Sequence, residues 1–408
     1  MRKTLLLTST LAALAAVSLF SQQPSELPAG PAKATVEASC QKCHALDQIV
    51  RSGHDPQEWK LTVERMISVG AEVPEAQLAP LVQYLTTNFP DRSPVAKIIG
   101  GTIKVNFKEW TVPTKGSRPH DPLAAHDGSL WYTGQFASKL GHVDTRTGEF
   151  DEYSTKTPRS GPHGLVEDKD GNIWYTGNFV GIIGKLNPKT REFTEYKLAP
   201  EARDPHTPIF DQKGILWFSA QSANLIGRLD PKTGDVKLAK MPVARSNPYG
   251  VVVTSKGVPV FVEFGGPRIA AIDPSTMAIK EYALPNPDSR PRRIAIDEND
   301  IVWYADYSRG YLGRLDLVTG KVTEYASPSG PRSQPYGISI RKGEVWYNES
   351  GVKPNALVRF IPKTEKFESW AVPAGGGVVR NMMTTIDGKN NLVIAESALN
   401  MVALVEIQ

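Results

Sequence analysis

The sequence predicts a small all-α domain followed by an all-β propeller of seven blades. Two observations carry this prediction. A Cys-Xaa-Xaa-Cys-His pentapeptide and helix-start signals lie before residue 90, and a repeat with strand patterning begins at residue 104. The chain of 408 residues is also longer than a single core usually holds, which favours two domains. Its 34 glycines and 32 prolines supply the turns that many short strands need.

The charge balance excludes some partners. Lys and Arg number 47 and Asp and Glu number 43, so the formal net charge is only +4. No basic stripe with interleaved aromatic residues is present in the sequence. Composition therefore favours neither nucleic acid nor an anionic membrane surface as a partner.

Residues 1–21 have the pattern of a secretory signal peptide. Arg2 and Lys3 form a basic start, and the stretch from Leu5 to Phe20 is mainly apolar. This stretch is short and interrupted by Ser and Thr, whereas a membrane span needs about 20 apolar residues. An uncleaved anchor is the alternative. We expect an exported, periplasmic protein that is soluble after cleavage and has no membrane span in the mature chain.

Both cysteines of the chain lie in one pentapeptide, Cys40-Gln41-Lys42-Cys43-His44. A redox disulfide would normally accompany a βαβ unit, and a zinc site would need two more ligands at matching spacing. Neither pattern is present. A histidine directly after the second cysteine is typical of c-type haem attachment. We therefore predict one covalent haem c, with Cys40 and Cys43 as the thioether residues and His44 as an axial iron ligand.

The second axial ligand is expected on a helix that follows. Its capping signals are, in order, Asp55 at the N-cap, Pro56 at the first helical position and Glu58 closing a capping box. Trp59, Val63 and Met66 then fall on one face of this helix. Met66 is the predicted ligand, with His54 as its competitor. A third helix is expected from Pro80 to Asn88.

The run from Ser39 to Phe89 resembles the haem domains of the quinohaemoprotein amine dehydrogenase type. The residues that carry the resemblance are the pentapeptide followed by Trp59, Arg65-Met66, Gly70-Ala71 and Tyr84-Leu85. The resemblance implies that Met66 is the distal haem ligand. We expect a cytochrome c domain at residues 33–90, a linker at 91–103 and the propeller at 104–408.

The repeat is marked by pairs of large apolar residues, aromatic in most blades, on a predicted strand. Successive pairs start 43 residues apart, and the last comes 47 residues after the sixth. The seven pairs are Trp131-Tyr132, Trp174-Tyr175, Trp217-Phe218, Val260-Phe261, Trp303-Tyr304, Trp346-Tyr347 and Val393-Ile394. Four short strands in a repeat of this length are typical of a propeller blade. The chain ends at Gln408 in the third strand of the last blade, so we expect Glu109-Trp110 to supply the fourth and close the ring.

Turns such as Gly161-Pro162-His163-Gly164 and Asn247-Pro248-Tyr249-Gly250 resemble the streptogramin B (virginiamycin B) lyase family across residues 104–408. The resemblance implies a Mg²⁺-dependent elimination, with a Glu-Pro-His-Gly turn and a second Glu four residues after the Trp of the same blade. Here Asp204 precedes Pro205-His206, but Gln221 stands at the second Glu position. The blade of His163 has Gly161 and Asn178 at the two carboxylate positions, so no blade keeps the full set.

Equivalent positions of the blades form two candidate rings around the central channel. The first ring follows the turn proline and reads His120, His163, His206, Tyr249, Arg292, Tyr336 and Asn381. The second ring lies three residues after the Trp position and reads Gly134, Gly177, Ala220, Glu263, Asp306, Glu349 and Glu396. If both rings reach one end of the channel, imidazoles would face carboxylates, as in a metal site, a general-base site or a polar pocket. Polar residues in wet turns are the alternative.

The candidate catalytic residues are therefore His120, His163 and His206, and the candidate ligands of a divalent metal in the channel are Glu263, Glu349 and Glu396. The main hypothesis is periplasmic electron transfer, as an oxidoreductase or its electron-transfer subunit, with a redox partner protein or a small-molecule substrate. One alternative is a lyase carried by the propeller. The other is a propeller that binds a protein or ligand without catalysis.

Overall fold

The computed structural model describes residues 27–42, 45–50 and 52–408. The predicted signal peptide, Cys43 and His44 lie outside these described residues. The helices are α1 (Lys33–Cys40), α2 (Asp47–Val50), α3 (Pro56–Ser68) and α4 (Glu75–Asn88). In this part of the chain, no helix combines the length and apolar character needed to cross a bilayer.

Helix α3 begins as its capping signals predict. The Asp55 carboxylate accepts a hydrogen bond from the Glu58 backbone N–H (2.9 Å), and the Glu58 carboxylate accepts one from the Asp55 N–H (3.3 Å). Trp59 and Val63 are buried against helix α4 in the core of the helical domain. The predicted third helix starts five residues earlier than expected and contains Pro80 inside it. Burial of Leu81 and of the following turn compensates for the backbone hydrogen bond that this proline cannot donate.

The remaining strands form blades of four antiparallel strands each. The first blade contains β2 (Pro119–Ala124), β3 (Leu130–Gly134), β4 (Lys139–Val143) and β5 (Phe150–Ser154). The second contains β6 (Pro162–Glu167), β7 (Ile173–Gly177), β8 (Ile182–Asn187) and β9 (Glu192–Lys197). The third contains β10 (Pro205–Phe210), β11 (Leu216–Ala220), β12 (Leu225–Leu229) and β13 (Val236–Lys240).

The fourth blade contains β14 (Pro248–Val253), β15 (Pro259–Glu263), β16 (Arg268–Ile272) and β17 (Ile279–Ala283). The fifth contains β18 (Pro291–Ile296), β19 (Ile301–Asp306), β20 (Tyr311–Asp316) and β21 (Val322–Ala326). The sixth contains β22 (Pro335–Arg341), β23 (Glu344–Glu349), β24 (Ala356–Ile361) and β25 (Lys366–Ala371). Two short 3₁₀ helices, Pro200–Ala202 and Ser397–Leu399, lie in loops.

The seventh blade closes the ring. It contains β26 (Val379–Thr384), β27 (Leu392–Glu396) and β28 (Met401–Ile407), and β1 (Val105–Thr111) is its outer strand. Strand β1 pairs with β28 along its whole length, from Val105 opposite Ile407 to Thr111 opposite Met401. The described residues thus form seven four-stranded sheets, and both the blade number and the predicted closure are confirmed.

Two repeated contacts explain the blade consensus. The Trp of the second strand donates a hydrogen bond from its indole N–H to the Asp that opens the preceding turn, as Trp174 does to Asp168 (2.7 Å). The Gly of the third strand lies under the ring of the aromatic residue that follows this Trp. A Cβ at Gly313 would lie 1.9 Å from the ring of Tyr304, so the position accepts only glycine.

The helical domain lies against one end of the propeller. Val95 in the linker forms a parallel bridge with Lys353, and the Ile99 N–H donates to the Ser369 hydroxyl (2.8 Å). The Ser68 hydroxyl of α3 reaches the carbonyl of Gly116, just before the first blade (3.5 Å). The linker thus fixes the helical domain over this end of the channel.

Candidate functional site

The first candidate ring lies at the channel end of the innermost strands. In the last blade, Val379 pairs with Glu396 as Pro335 pairs with Glu349 in the sixth. The ring residue of the seventh blade is therefore Arg380, and the expectation of Asn381 is wrong. The reason is local: this blade has valine in place of the turn proline, so the sequence offers no marker for the position.

The three histidines form a continuous stack. The ring centroids of His120 and His163 lie 3.7 Å apart, those of His163 and His206 lie 3.6 Å apart, and Tyr249 extends the stack at 3.9 Å from His206. All three imidazoles are buried. Burial lowers the pKa of each well below its usual value, and nearby arginine charges lower it further. The histidines are therefore neutral at pH 7.

Two tyrosines, Tyr249 and Tyr336, and two arginines, Arg292 and Arg380, complete the other side of the ring. The hydroxyls of Tyr249 and Tyr336 share a hydrogen bond of 2.5 Å, and the Arg292 guanidinium lies 4.0 Å from the centre of the Tyr336 ring. Burial alone would raise the pKa of Tyr336, but the charges of Arg292, Arg380 and Arg293 outweigh it and lower that pKa. Burial and Tyr336 raise the pKa of Tyr249. Either hydroxyl can be the donor in this bond.

One residue further along the innermost strands, an ion pair crosses the channel. Asp121 of the first blade pairs with Arg293 of the fifth blade (2.5 Å), and both side chains are buried. Asp121 also contacts the Nδ1 atom of His120 at 2.9 Å, and Arg293 donates to the Thr207 hydroxyl at 3.4 Å. Burial raises the pKa of Asp121 to about 6, although Arg293 acts in the opposite direction.

The side chains near this ion pair are of the types that bind metal ions, but the charges around them disfavour a cation. Ligand atoms of His120, Asp121 and His163 all lie within 4.8 Å of one another. Neutral imidazole and carboxylate are common ligands of divalent cations. However, Asp121 is already paired with Arg293, and the charges of Arg118 and Arg380 act on the same histidines. The electrostatics of the site therefore oppose a cation.

The carboxylates of the second ring are engaged elsewhere. Each of them pairs with the residue that precedes a first-ring residue, as Glu263 pairs with Pro248. Its side chain therefore extends into the blade. Glu263 pairs with Arg268 (2.8 Å), and Glu349 accepts a hydrogen bond from the Ser327 hydroxyl (2.6 Å). Glu396 lies beside Glu109 of the closing strand. The structure does not bring these three glutamates to the histidine stack.

A cavity of about 370 Å³ occupies the helical domain. Its lining residues include Cys40, His54, Trp59 and Met66, together with Arg118 from the propeller. Cys40 and Met66 thus line the same cavity. His54, the competitor of Met66, also contacts it.

Arg118 connects this cavity to the channel. It precedes Pro119 and His120, and its backbone has a φ of 54°. The guanidinium donates to the Gln135 side chain at 2.6 Å, and its charge acts on His120 and His163. Sequence reasoning missed Arg118 and the Asp121–Arg293 pair. Extending the ring position by one or two residues in each blade would have found them.

Comparison with known proteins identifies the family of the propeller. The sequence matches the virginiamycin B lyase family over residues 93–360. Virginiamycin B lyase from Staphylococcus aureus is 22% identical and covers 74% of this chain and 99% of its own, with a TM-score of 0.67. A catalytically inactive histidine-to-alanine variant of that enzyme with quinupristin is 21% identical, covers 74% of this chain and 99% of its own, and has a TM-score of 0.67.

Hydrazine synthase from Kuenenia stuttgartiensis is 13% identical and covers 71% of this chain and 96% of its own, with a TM-score of 0.60. At these identities the structural likenesses show the fold alone. No curated protein matches this sequence. The sequence match extends over well more than half of the chain and includes five blades whole and two in part, so the chain belongs to the virginiamycin B lyase family.

Proposed function

We propose that this chain is an exported c-type cytochrome that transfers electrons between a haem in the helical domain and a substrate or redox partner at the channel end of the propeller. The observation that carries the proposal is the cavity of about 370 Å³, which Cys40 and Met66 line on one side and Arg118 of the propeller lines on another. One group in this cavity would lie next to the histidine stack.

The residues around the cavity fit a haem. Trp59, Val63 and Leu85 supply apolar walls, and Cys40 is the first cysteine of the attachment motif. A domain of this size rarely holds together on apolar burial alone, which favours a large covalent group as part of its core. Cys40 and Cys43 would attach the haem, and His44 and Met66 would ligate its iron. The haem would supply reversible one-electron transfer.

The propeller residues of the site can exchange protons and carry positive charge. The histidines are neutral, so each offers one donor and one acceptor nitrogen. Tyr336 has a lowered pKa and shares a hydrogen bond with Tyr249, so it can hold or release a proton in the ring. Arg118 lies between these groups and the cavity.

The test is the absorption spectrum of the exported full-length protein, made in a host that attaches c-type haem. We expect one haem per chain, retained after denaturation because it is covalent. Met66→Ala should abolish the band of sulfur-to-iron ligation, and Met241→Leu in the propeller should leave it unchanged. A sulfur-to-iron band that survives in Met66→Ala would assign another methionine, whereas a wild-type low-spin spectrum without this band that is lost in His54→Ala would reassign the ligand to His54. A protein purified without haem from such a host would overturn the proposal.

Family membership favours a second function, a lyase carried by the propeller. The turn that most resembles the lyase motif, Asp204-Pro205-His206, keeps one carboxylate and the histidine, and Asn178 donates a hydrogen bond to Asp204. An assay with quinupristin and Mg²⁺ tests this function. Mg²⁺-dependent cleavage that persists when His44→Ala removes the haem would support the lyase, and no turnover would count against it.

A further inference from the structure

Five arginines converge between the cavity of the helical domain and the histidine stack. Arg118 lines the cavity, and Arg380 and Arg292 belong to the ring. Arg380 acts on Arg118 and on Arg65 of α3, and burial together with this charge lowers the pKa of Arg65 to about 10. Arg293 lies one residue below the ring, in its ion pair with Asp121. The cluster thus joins the helical domain to the first, fifth and seventh blades.

The described residues supply too little negative charge to balance these arginines. Among the described residues, Asp121 is the carboxylate that acts on the ring, and Arg293 already neutralises it. Glu58 acts on Arg65 but is itself paired with Lys353. Uncompensated buried charge costs several kcal/mol per ion, about the scale of the stability of a whole domain. A counter-charge from outside these residues would remove most of that cost.

Buried donors at the same place lack partners. The Nε atoms of Arg292, Arg293 and Arg380 are buried without a hydrogen-bond partner among the described residues, and so is the Nδ1 atom of His163. Arg293 and His163 are almost fully buried, with 3% and 4% exposure. Such atoms normally have a partner. Planar guanidinium groups with free N–H donors favour carboxylates and oxyanions, which accept two parallel hydrogen bonds.

We propose that Arg118, Arg380 and the histidine stack bind a small carboxylate or inorganic oxyanion between the channel and the cavity. The carboxylate has two sources, a diffusible anion or the propionates of the haem itself. In the first case the anion is the substrate class of the redox function, and this assignment rests on the function proposed above. In both cases the arginines of the propeller hold a negative charge next to the haem cavity.

The experiment uses the full-length holoprotein with Arg118→Gln, Arg380→Gln and a control, Arg146→Gln. Arg146 is exposed and pairs with Asp144 in a turn at the opposite end of the blades, so this control removes the same charge from elsewhere. Thermal unfolding and circular dichroism establish that each variant is folded. Malonate, nitrate and sulfate are titrated separately by calorimetry, and the haem reduction potential is measured from pH 5 to 8.

A diffusible anion predicts binding of at least one probe, weakened tenfold or more in Arg118→Gln and Arg380→Gln but unchanged in Arg146→Gln. Haem propionates predict no probe binding. Instead, the reduction potential becomes dependent on pH in the two site variants, because carboxylates that lose their guanidinium partner titrate in this range. Folded site variants without either effect would overturn the inference. Arginine-dependent probe binding in a protein that carries no haem would leave the anion site standing and reject only the redox function.

Discussion

Lys353 of the sixth blade and Asp91 of the linker form an ion pair with a distance of 2.9 Å between Nζ and the carboxylate. The same ammonium pairs with Asp55 (3.2 Å) and with Glu58, the two residues of the capping box. One propeller lysine therefore contacts both the linker and the start of α3, which carries Met66. This cluster holds the helical domain in its position over the channel.

Replacing Lys353 with methionine should loosen this contact. Burial tends to raise the pKa of each of the three carboxylates, but hydrogen bonds and the lysine charge lower it overall. The stabilisation is thus present above the usual carboxylate pKa of about 4 and lost as the pH falls through the lowered values. At pH 7 we expect a loss of about 1–3 kcal/mol in docking free energy.

Hydrogen exchange of α3 and proteolysis of the linker measure this effect. Both should accelerate in Lys353→Met at pH 7, and the difference from the wild type should shrink near pH 3. Lys169→Met is the control, because Lys169 forms an exposed pair with Asp170. Equal protection of α3 in both variants at pH 7 would contradict the role of this cluster.

Gly313 tests the contact that repeats in the blades. Its added Cβ would lie 1.9 Å from the Tyr304 ring, so Gly313→Ala should destabilise the propeller by about 1–3 kcal/mol through overpacking. Tyr304→Leu makes room, so the double variant should lose less than the sum of the two single losses. Chemical denaturation measures all three.

Gly320→Ala provides the matched control. Gly320 has a φ of 72° and open space around its Cβ position, so its cost is backbone strain and does not depend on Tyr304. This variant should be additive with Tyr304→Leu. Additivity for Gly313→Ala as well would show that the aromatic ring is not what selects glycine.

Much of the fold could be predicted because each blade is specified by residues that lie close together in the sequence. Among the described residues, three blades repeat the Trp-to-Asp hydrogen bond and four repeat the glycine under the aromatic ring, so the period of 43 residues predicts the strand order within a blade. The capping box at Asp55 also depends on residues near each other in sequence. The closing strand at Glu109 pairs with distant β28, and it was predictable because the last blade lacks a fourth strand of its own.

The site depends on contacts across the channel, which the repeat can place in equivalent positions but cannot pair with one another. Asp121 and Arg293 lie 172 residues apart and meet only because the ring closes. Arg380 has no preceding proline, so the repeat gives no sign of its position. The glutamates of the second ring repeat regularly but extend into the blades, since residues opposite each other on antiparallel strands share a face. Periodicity identifies equivalent positions but not which side chains reach the channel.

Glu396 makes the closure of the ring sensitive to pH. Burial and the neighbouring Glu109 raise its pKa to about 8, from an ordinary value of 4.5. The folded protein thus binds a proton that the unfolded chain releases, so this stabilisation is full below pH 4.5 and is lost as the pH rises through 8. Each unit of pKa difference corresponds to about 1.4 kcal/mol.

We therefore expect the melting temperature of the propeller to fall between about pH 5 and 8 and to level off above pH 8. Glu396→Gln keeps the neutral form and should flatten this dependence. Glu406→Gln is the control, because Glu406 pairs with Lys108 on the surface of the same strand pair. An unchanged pH profile in Glu396→Gln would assign the loss of stability to another group.

The ion pair between Asp121 and Arg293 makes a prediction about the channel itself. Both side chains are buried, so Asp121→Ala leaves an unpaired guanidinium and should destabilise the propeller by about 3–5 kcal/mol. Replacing both residues, as Asp121→Ala with Arg293→Leu, removes the unpaired charge and should recover most of that loss. Denaturation of the two single variants and the double variant gives their coupling energy. Recovery in the double variant would show that the pair specifies the shape of the channel more than it stabilises the fold, whereas additive losses would show that Arg293 has a second partner at the site.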